Sequence, residues 1–270
     1  KFIENFKNKT VFKTYEQVKS LPEFAGILDE ETILVDIDDF EQSEVLMNIV
    51  EDLQLNCRVY ATTRGKHFLF KNSGVEKCFT HCKLAIGLTA DIKVGVKNSY
   101  EILKYDGKER EVIYDIYQED GEVYQEIPKW MLPVKGKAEF LDMDAGDGRN
   151  QALFNYILTL QSADFEKEEA RDVLRIINKY VLKEPLSDEE LEVIMRDEAF
   201  SKPIFYKGTT FLFDKFAVFL KNNHHIIRLN GQLHMYKDGI YVSGQEEIEA
   251  VMIQHLPQLN RAKRQEVMAY

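Results

Sequence analysis

Three short apolar segments, each interrupted by ionisable residues, constrain the fold of this chain more than any other feature. They are ILVDIDD (33–39), TTRGKHFLF (62–70) and TADIKVG (89–95). Ile33, Leu34, Val35 and Ile37 form a β-rich run of the kind that builds a buried strand over 33–38. Asp36 and Asp38 are two apart, and alternate residues of a strand share a face. Both carboxylates therefore project together, and like charges that close resist ionisation unless a cation lies between them. A divalent metal relieves the conflict, because Mg²⁺ is held by one or two carboxylates plus substrate phosphate oxygens. Asp39 falls on the opposite face and reads as a turn or helix-cap residue. The plainer alternative is an acidic strand end facing solvent.

The second segment alternates as a strand over 58–62, turns through Thr63, Arg64, Gly65 and Lys66, and resumes strand character from His67 to Phe70. A hairpin tip bearing Arg64, Lys66 and His67 is expected, with Gly65 allowing close backbone approach to a ligand. Guanidinium and ammonium groups bind phosphate, and an imidazole donates to a phosphate oxygen. A solvated basic hairpin is the plainer reading. The third segment places Asp91 inside an apolar run, where an unpaired carboxylate is costly. A metal shared with Asp36 and Asp38 would serve as its partner. Lys93 lies two residues on, on the same strand face, and would pair with Asp91 or reach a substrate phosphate.

The order of these elements resembles the archaeo-eukaryotic primase superfamily: Asp-hydrophobic-Asp, then a small-residue turn ending in x-His before an apolar strand, then a lone Asp after a hydrophobic residue. The likeness is to the primase-polymerase domain of phage and plasmid replication proteins. Gly65 stands in the small-residue slot before the histidine. The resemblance implies that Asp36, Asp38 and Asp91 hold Mg²⁺ or Mn²⁺, with His67 as a further catalytic residue. It also implies that His67, Arg64, Lys66 and Lys93 meet the incoming nucleotide, and that the strands belong to an RRM-like sheet.

Downstream, Tyr100–Tyr105, Glu111–Tyr117 and Val123–Ile127 read as strands broken by Asp106-Gly107 and Asp120-Gly121. Pro128, Trp130 and Pro133 end that sheet, and Lys135–Asp147 reads as a polar linker. Helical spacing then appears over Asn150–Ser162. A second helix runs to about Tyr180, capped by Ser162 or Asp164. A third begins at Ser187, where Ser187 and Glu190 have capping-box spacing. Arg149 and Asn150 at a helix start would cap it or meet phosphate. This region is similar to the small helical domain that follows the catalytic domain in such primases. Residues 204–270 read as a helix (Phe211–His224), three short strands (Ile226–Leu229, Leu233–Tyr236, Ile240–Val242) and a helix (Glu246–Leu256). They are similar to the segment preceding the helicase domain in viral and plasmid primase-helicases. The expected architecture is α+β, with a catalytic domain over 1–138, a helical domain over 146–200 and a short α/β segment over 204–270. The chain starts at Lys1 and stops at Tyr270, and is expected to be a fragment of a larger protein with a C-terminal helicase partner. It contains no G-x-x-x-x-G-K-[ST] sequence, which excludes a P-loop ATPase site within it.

A net charge of −11 argues against simple wrapping of DNA. Its distribution is more telling, because residues 51–100, with eight basic against four acidic side chains, are the block that holds the basic hairpin. A local basic groove can still bind a strand, since screening limits distant repulsion to about 10 Å. No apolar run reaches membrane-spanning length and no signal peptide is evident, so a soluble, intracellular protein with no membrane partner is expected, and the likeness to phage and plasmid proteins implies the cytoplasm of a bacterial host cell. Three cysteines make no disulfide framework. Cys78, His81 and Cys82, with Cys57 as a fourth, are zinc-capable types. Structural zinc usually uses well-separated ligand pairs, and the spacing equally suits one half-buried helix. His224, His225 and His234 read as surface or strand residues.

The expected activity is primer synthesis on a single-stranded DNA template from nucleoside triphosphates, by two-metal nucleotidyl transfer. The rivals are a catalytically inactive single-stranded DNA or origin-binding replication module, and a metal-dependent nuclease. The nuclease gives no reason for the basic hairpin.

Overall fold

The computed structural model describes residues 1–4, 6, 10–115, 123–136, 139–200, 205–207, 210–237, 239–257 and 259–270. Its centre is a six-stranded antiparallel sheet built from β3 (Thr32–Ile37), β4 (Arg58–Ala61), β5 (Lys66–Lys71), β6 (Phe79–Lys83), β7 (Thr89–Val94) and β10 (Val112–Tyr114). The strand order is β10-β4-β5-β3-β7-β6. A second antiparallel sheet has the order β1-β2-β8-β9, with β1 (Phe2–Ile3), β2 (Phe24–Ile27), β8 (Tyr100–Tyr105) and β9 (Lys108–Glu109). Helix α1 (Tyr15–Val18) lies between β1 and β2 in sequence.

Alternation explains the two faces of the central sheet. Ile33, Val35 and Ile37 are fully buried on one face, together with Val59, Phe68, Phe70 and Ile92. They pack on α2 (Phe40–Asp52) through Leu46, Met47, Ile49 and Val50. Fully burying one such side chain contributes about 1.5–3 kcal/mol. Asp39 is the N-cap of α2, as its position past the strand implies, and its Oδ1 accepts from the Gln42 N–H at 2.8 Å. A cap of this kind stabilises by about 1 kcal/mol.

Three helices extend the same apolar cluster: α3 (Arg149–Ser162), α4 (Lys167–Ile176) and α5 (Asp188–Ile194). Leu153, Ile157 and Leu160 of α3 and Val173 and Leu174 of α4 join the strand residues. Tyr156 donates its hydroxyl to Ala85 O at 2.8 Å, and Lys179 and Tyr180 both reach Asp52 on α2. These last two belong to a π-helical turn, Ile177–Val181, where Asn178 is buried and closes Leu186 at both N–H and C=O.

Residues 205–270 carry their own apolar cluster around Phe216, Leu220, Ile248 and Met252. The ribbon β11 (Tyr206–Lys207) and β12 (Thr210–Phe211) leads into α6 (Phe213–Asn223). A three-stranded meander follows, β13 (Ile226–Leu229), β14 (Gln232–Lys237) and β15 (Ile240–Ser243), then α7 (Gln245–His255) and α8 (Arg261–Ala269). The molecule is therefore mixed α+β, with several antiparallel sheets and eight α-helices among the described residues. Among those residues, no helix is long and apolar enough to cross a membrane.

Several local expectations hold. Ser187 caps α5 in a capping box with Glu190, and the strands and helices of 211–256 match to within a few residues. Asp106 and Gly107 turn the β8–β9 hairpin, both with positive φ. Others are corrected. Helix α4 is capped at Glu166, whose N–H donates to Glu169 Oε2, while Asp164 is a left-handed turn residue. Val123–Ile127 makes only an isolated bridge at Glu126, because Lys71 at the end of β5 offers one parallel partner and no ladder. The stretch after Lys135 is not all solvated: Phe140 is buried with its ring 5.0 Å from that of Tyr156. The expected turn at 120–121, the end of the strand over 111–117 and residue 238 of the turn at 238–239 lie outside the described residues.

Candidate active site

The register of β3 builds the site. Asp36 stands directly opposite His67 on β5 and directly opposite Asp91 on β7. Residues opposite one another in an antiparallel ladder project to the same face. The row Asp91–Asp36–His67 therefore crosses three adjacent strands on the face turned away from α2. Lys93, opposite Leu34, shares that face.

On this face Lys93 Nζ donates to Asp36 Oδ2 at 2.5 Å, and His67 Nε2 lies 3.0 Å from Asp36 Oδ1. The other ring nitrogen, Nδ1, is 2.6 Å from Oε2 of Glu101, which arrives from β8 of the second sheet. Arg110 Nε lies 3.2 Å from Glu101 Oε1. The result is a line of alternating charge, Lys93–Asp36–His67–Glu101–Arg110. Asp36, His67 and Glu101 are each less than a tenth exposed.

Burial by itself would raise the Asp36 carboxyl, but the His67 and Lys93 cations outweigh it and hold the group down at about 2. Burial pulls His67 the other way, and its hydrogen bonds and attraction to Asp36 and Glu101 prevail and raise it. A carboxylate lies beside each ring nitrogen, Glu101 within hydrogen-bond distance of Nδ1 and Asp36 as an ion pair at Nε2, and both favour the imidazolium. Lys93 is likewise raised against its burial, by Asp36 first and then by Glu101 and Asp91. A cavity of about 420 Å³ opens beside this line. Its lining mixes the polar His67, Asp91, Lys93, Glu101 and Arg110 with Phe79, Ile92, Tyr100 and Ile102.

Asp38 lies just past β3 and pairs with Arg64 at 2.6 Å, both side chains being exposed. Asp91 Oδ1 accepts from the His81 backbone N–H at 2.7 Å. Among the described residues no three metal-capable side chains are drawn together as a chelate. The donor set nevertheless suits a hard divalent cation, since all three candidate ligands are carboxylates. Two of them, Asp36 and Asp91, are direct cross-strand partners. The Lys93 ammonium already occupies the combined field of Asp36, Asp91 and Glu101. Asp36 Oδ1, held as an ion pair without hydrogen-bond alignment, is a buried oxygen lacking a donor. The residues fit a divalent ion, which Asp36, Asp38 and Asp91 would hold after releasing Lys93 and Arg64.

Lys66 does not join the site. It is the first residue of β5, opposite Ile37, so alternation turns it toward α2. There it is buried, 2.5 Å from Glu44 Oε1 and over the Phe40 ring. Gly65 approaches backbone, and that backbone is the chain's own: a Cβ there would meet Ile37 O at 1.9 Å. The hairpin is thereby pressed onto the end of β3, which brings Arg64 to Asp38.

Cys78, His81 and Cys82 lie at or within β6, not on a helix. The strand pairs with β7 through a register shift, and His81 takes a positive φ. Their contacts diverge: Cys78 Sγ lies 3.5 Å from Ser99 Oγ, and Cys82 Sγ 3.1 Å from Ala90 O. Burial pushes the Cys82 thiol up to about 11 and the Cys57 thiol up to about 12.

Glu101 and Arg110 are the site residues that sequence reasoning did not single out. The signal was present, because Glu101 interrupts the run Tyr100–Tyr105 as Asp91 interrupts its own strand. In the C-terminal unit, His224 meets His255, Nε2 to Nε2, at 3.0 Å. Compared with known proteins, the chain matches no family model, no curated protein and no solved structure.

Proposed function

We propose that the cleft between the two sheets is the nucleotidyl-transfer site of a primase-polymerase acting in phage or plasmid-type DNA replication. The observation that supports this reading most directly is the row Asp91–Asp36–His67. Residues far apart in sequence stand side by side on three adjacent strands, with Asp38 and Arg64 at the end of β3. Such a row gives hard oxygen donors next to cations able to neutralise a triphosphate. When bound, Mg²⁺ or Mn²⁺ at Asp36, Asp38 and Asp91 would neutralise phosphate charge and activate a 3′-hydroxyl. His67, Lys93 and Arg64 would then exchange their carboxylate partners for phosphate oxygens. The 420 Å³ cavity, lined by both polar and apolar side chains, suits a nucleoside beside its phosphates. In this reading the central sheet with α2 is the RRM-like core. The helices α3–α5 would support initiation on a single-stranded DNA template, and residues 205–270 would lead toward a helicase partner in a bacterial cytoplasm.

The test is incubation with single-stranded DNA, Mg²⁺ or Mn²⁺ and labelled nucleotides, beside Asp36→Ala and Asp38→Ala. New labelled oligonucleotides, absent from both variants, are the expected result. Degraded template would favour a nuclease.

A second reading, a catalytically inactive single-stranded DNA or origin-binding module, draws on one specific observation. Asp36 and Asp38 are each neutralised by an internal cation, as carboxylates kept only for structure would be. Metal-independent strand binding with no product would favour it.

A further inference from the structure

Glu101 belongs to neither the acidic row of the central sheet nor the basic hairpin. It is among the few buried charged side chains, and it comes from the other sheet. Both of its oxygens face cations: Oε2 lies 2.6 Å from His67 Nδ1, and Oε1 3.2 Å from Arg110 Nε. Arg110 is itself fixed by backbone, with Nε donating to Ile102 O at 2.9 Å and an Nη1 donor 3.4 Å from Ala61 O. Ala61 ends β4, the strand next to His67 on β5. The guanidinium therefore spans both sheets and faces the buried carboxylate as an ion pair, while Glu101 Oε1 itself has no hydrogen-bond donor among the described residues.

This geometry separates the two nitrogens of His67. Nε2 faces Asp36, a carboxylate that must turn to a metal if the nucleotidyl-transfer reading holds. Nδ1 faces Glu101, which is tied to Arg110. When Asp36 turns away, Glu101 keeps the ring oriented, and Nε2 is left without a partner on a residue that lines the cavity. We infer that Glu101 is the positioning residue for His67, aiming its Nε2–H at the triphosphate of an incoming nucleotide, and that Arg110 positions Glu101. This rests on the nucleotidyl-transfer reading. Carboxylate–histidine pairs fix ring orientation, and where the histidine binds a metal, loss of the outer partner typically costs about 10- to 100-fold, the scale taken for His67.

The experiment compares wild type with Glu101→Leu, Glu101→Gln, Arg110→Gln, His67→Gln and the Glu101→Leu/His67→Gln double variant. Three quantities are read: Mn²⁺ affinity by electron paramagnetic resonance, affinity for a non-hydrolysable nucleoside triphosphate with Mn²⁺, and the ring N–H resonances of ¹⁵N-histidine-labelled protein. Glu101→Leu is expected to lose the downfield Nδ1–H resonance of His67 and to weaken triphosphate binding roughly 10- to 100-fold, with Mn²⁺ affinity within about twofold. The double variant is expected to be no weaker than His67→Gln, because the two act as one unit. Glu101→Gln keeps an acceptor oxygen and is expected to restore most of the affinity. Arg110→Gln, at the cleft rim, carries the test if Glu101→Leu does not fold, and is expected to weaken triphosphate binding in the same direction.

Triphosphate binding unchanged in Glu101→Leu and Arg110→Gln, or additive losses in the double variant, would overturn the inference and leave the nucleotidyl-transfer reading standing. A wild-type protein that binds neither Mn²⁺ nor triphosphate would remove that reading, and the role of Glu101 with it.

Discussion

Asp36 and His67 face each other across β3 and β5, Oδ1 to Nε2 at 3.0 Å, and each holds the other in its charged form. Burial opposes both charges, so the pair persists only because Lys93 and Glu101 complete it at either end.

The first prediction concerns pH. Asp36 is lowered from 3.8 to about 2 in the folded protein. A depressed carboxyl contributes stability that is present above its unfolded value and lost as pH falls through the folded one. The contribution is roughly 2 kcal/mol at neutral pH. His67 is raised above 6.5, so its contribution is full below that value and is lost as pH rises through its folded pKa. Urea unfolding against pH should show a plateau between about 4 and 6.5, falling on both sides. Asp36→Asn should shrink the acid limb, leaving the share of the other lowered carboxylates such as Glu169, and an unchanged acid limb in that variant would contradict the pairing.

Asp36→Ala and Asp38→Ala should both abolish nucleotide incorporation but differ in stability. Asp38 is exposed and meets an exposed Arg64, so its loss should shift unfolding by no more than about 0.5 kcal/mol. Asp36→Ala leaves His67 and Lys93 without their shared anion and should destabilise by about 1–3 kcal/mol. Incorporation that survives either substitution would remove that residue from the proposed metal site.

Lys66 and Lys93 should separate cleanly. Lys93→Met should raise the nucleotide KM by about tenfold, as loss of one phosphate contact does. Lys66→Met should leave KM within about twofold, because the side chain faces Glu44 on α2, away from the proposed nucleotide face. Steady-state kinetics on the two variants decide the matter, and a raised KM in Lys66→Met would mean that the hairpin rearranges around substrate.

Gly65→Ala should destabilise the protein by about 1–3 kcal/mol, since the new Cβ collides with Ile37 O and backbone, not a flexible side chain, must move. Thermal unfolding measures this. Loss of incorporation beyond the loss of folded protein would follow from displacing Arg64 from Asp38.

The C-terminal unit should be acid-sensitive on its own. Burial lowers His224, and so do the neighbouring His255 and His225. A depressed imidazole contributes stability above its unfolded value near 6.5 that is lost as pH falls through the folded one. Hydrogen exchange at α6 and α7 should therefore quicken below pH 6.5, and His255→Gln should blunt the change by removing one repulsive charge. Exchange independent of pH after correction for chemistry would count against the pair.

Much of the local structure was legible in the residues themselves. The strand at 33–37, the cap at Asp39, the turn at Asp106-Gly107 and the capping box at Ser187 and Glu190 all follow from alternation, caps and positive φ. These signals act within a few residues and need no partner elsewhere in the chain. Misreadings arose where a partner did decide. The segment around Cys78 and Cys82 has spacing that suits a helix, but β7 offers a free edge and recruits it as a strand. Val123–Ile127 has strand-like residues but lacks a complete partner.

The sequence by itself determined which side chains alternate together: Asp36 with Asp38, Asp91 with Lys93, and Lys66 apart from His67. Tertiary structure alone decided which of these sets meet. Register sets Asp36 against both His67 and Asp91, and a shift by one residue would turn every one of these side chains to the other face. The closing of the second sheet over that face brings Glu101 and Arg110 to His67. Neither event is written in local spacing, because pairing and layer packing are set by the burial of apolar faces across the whole core.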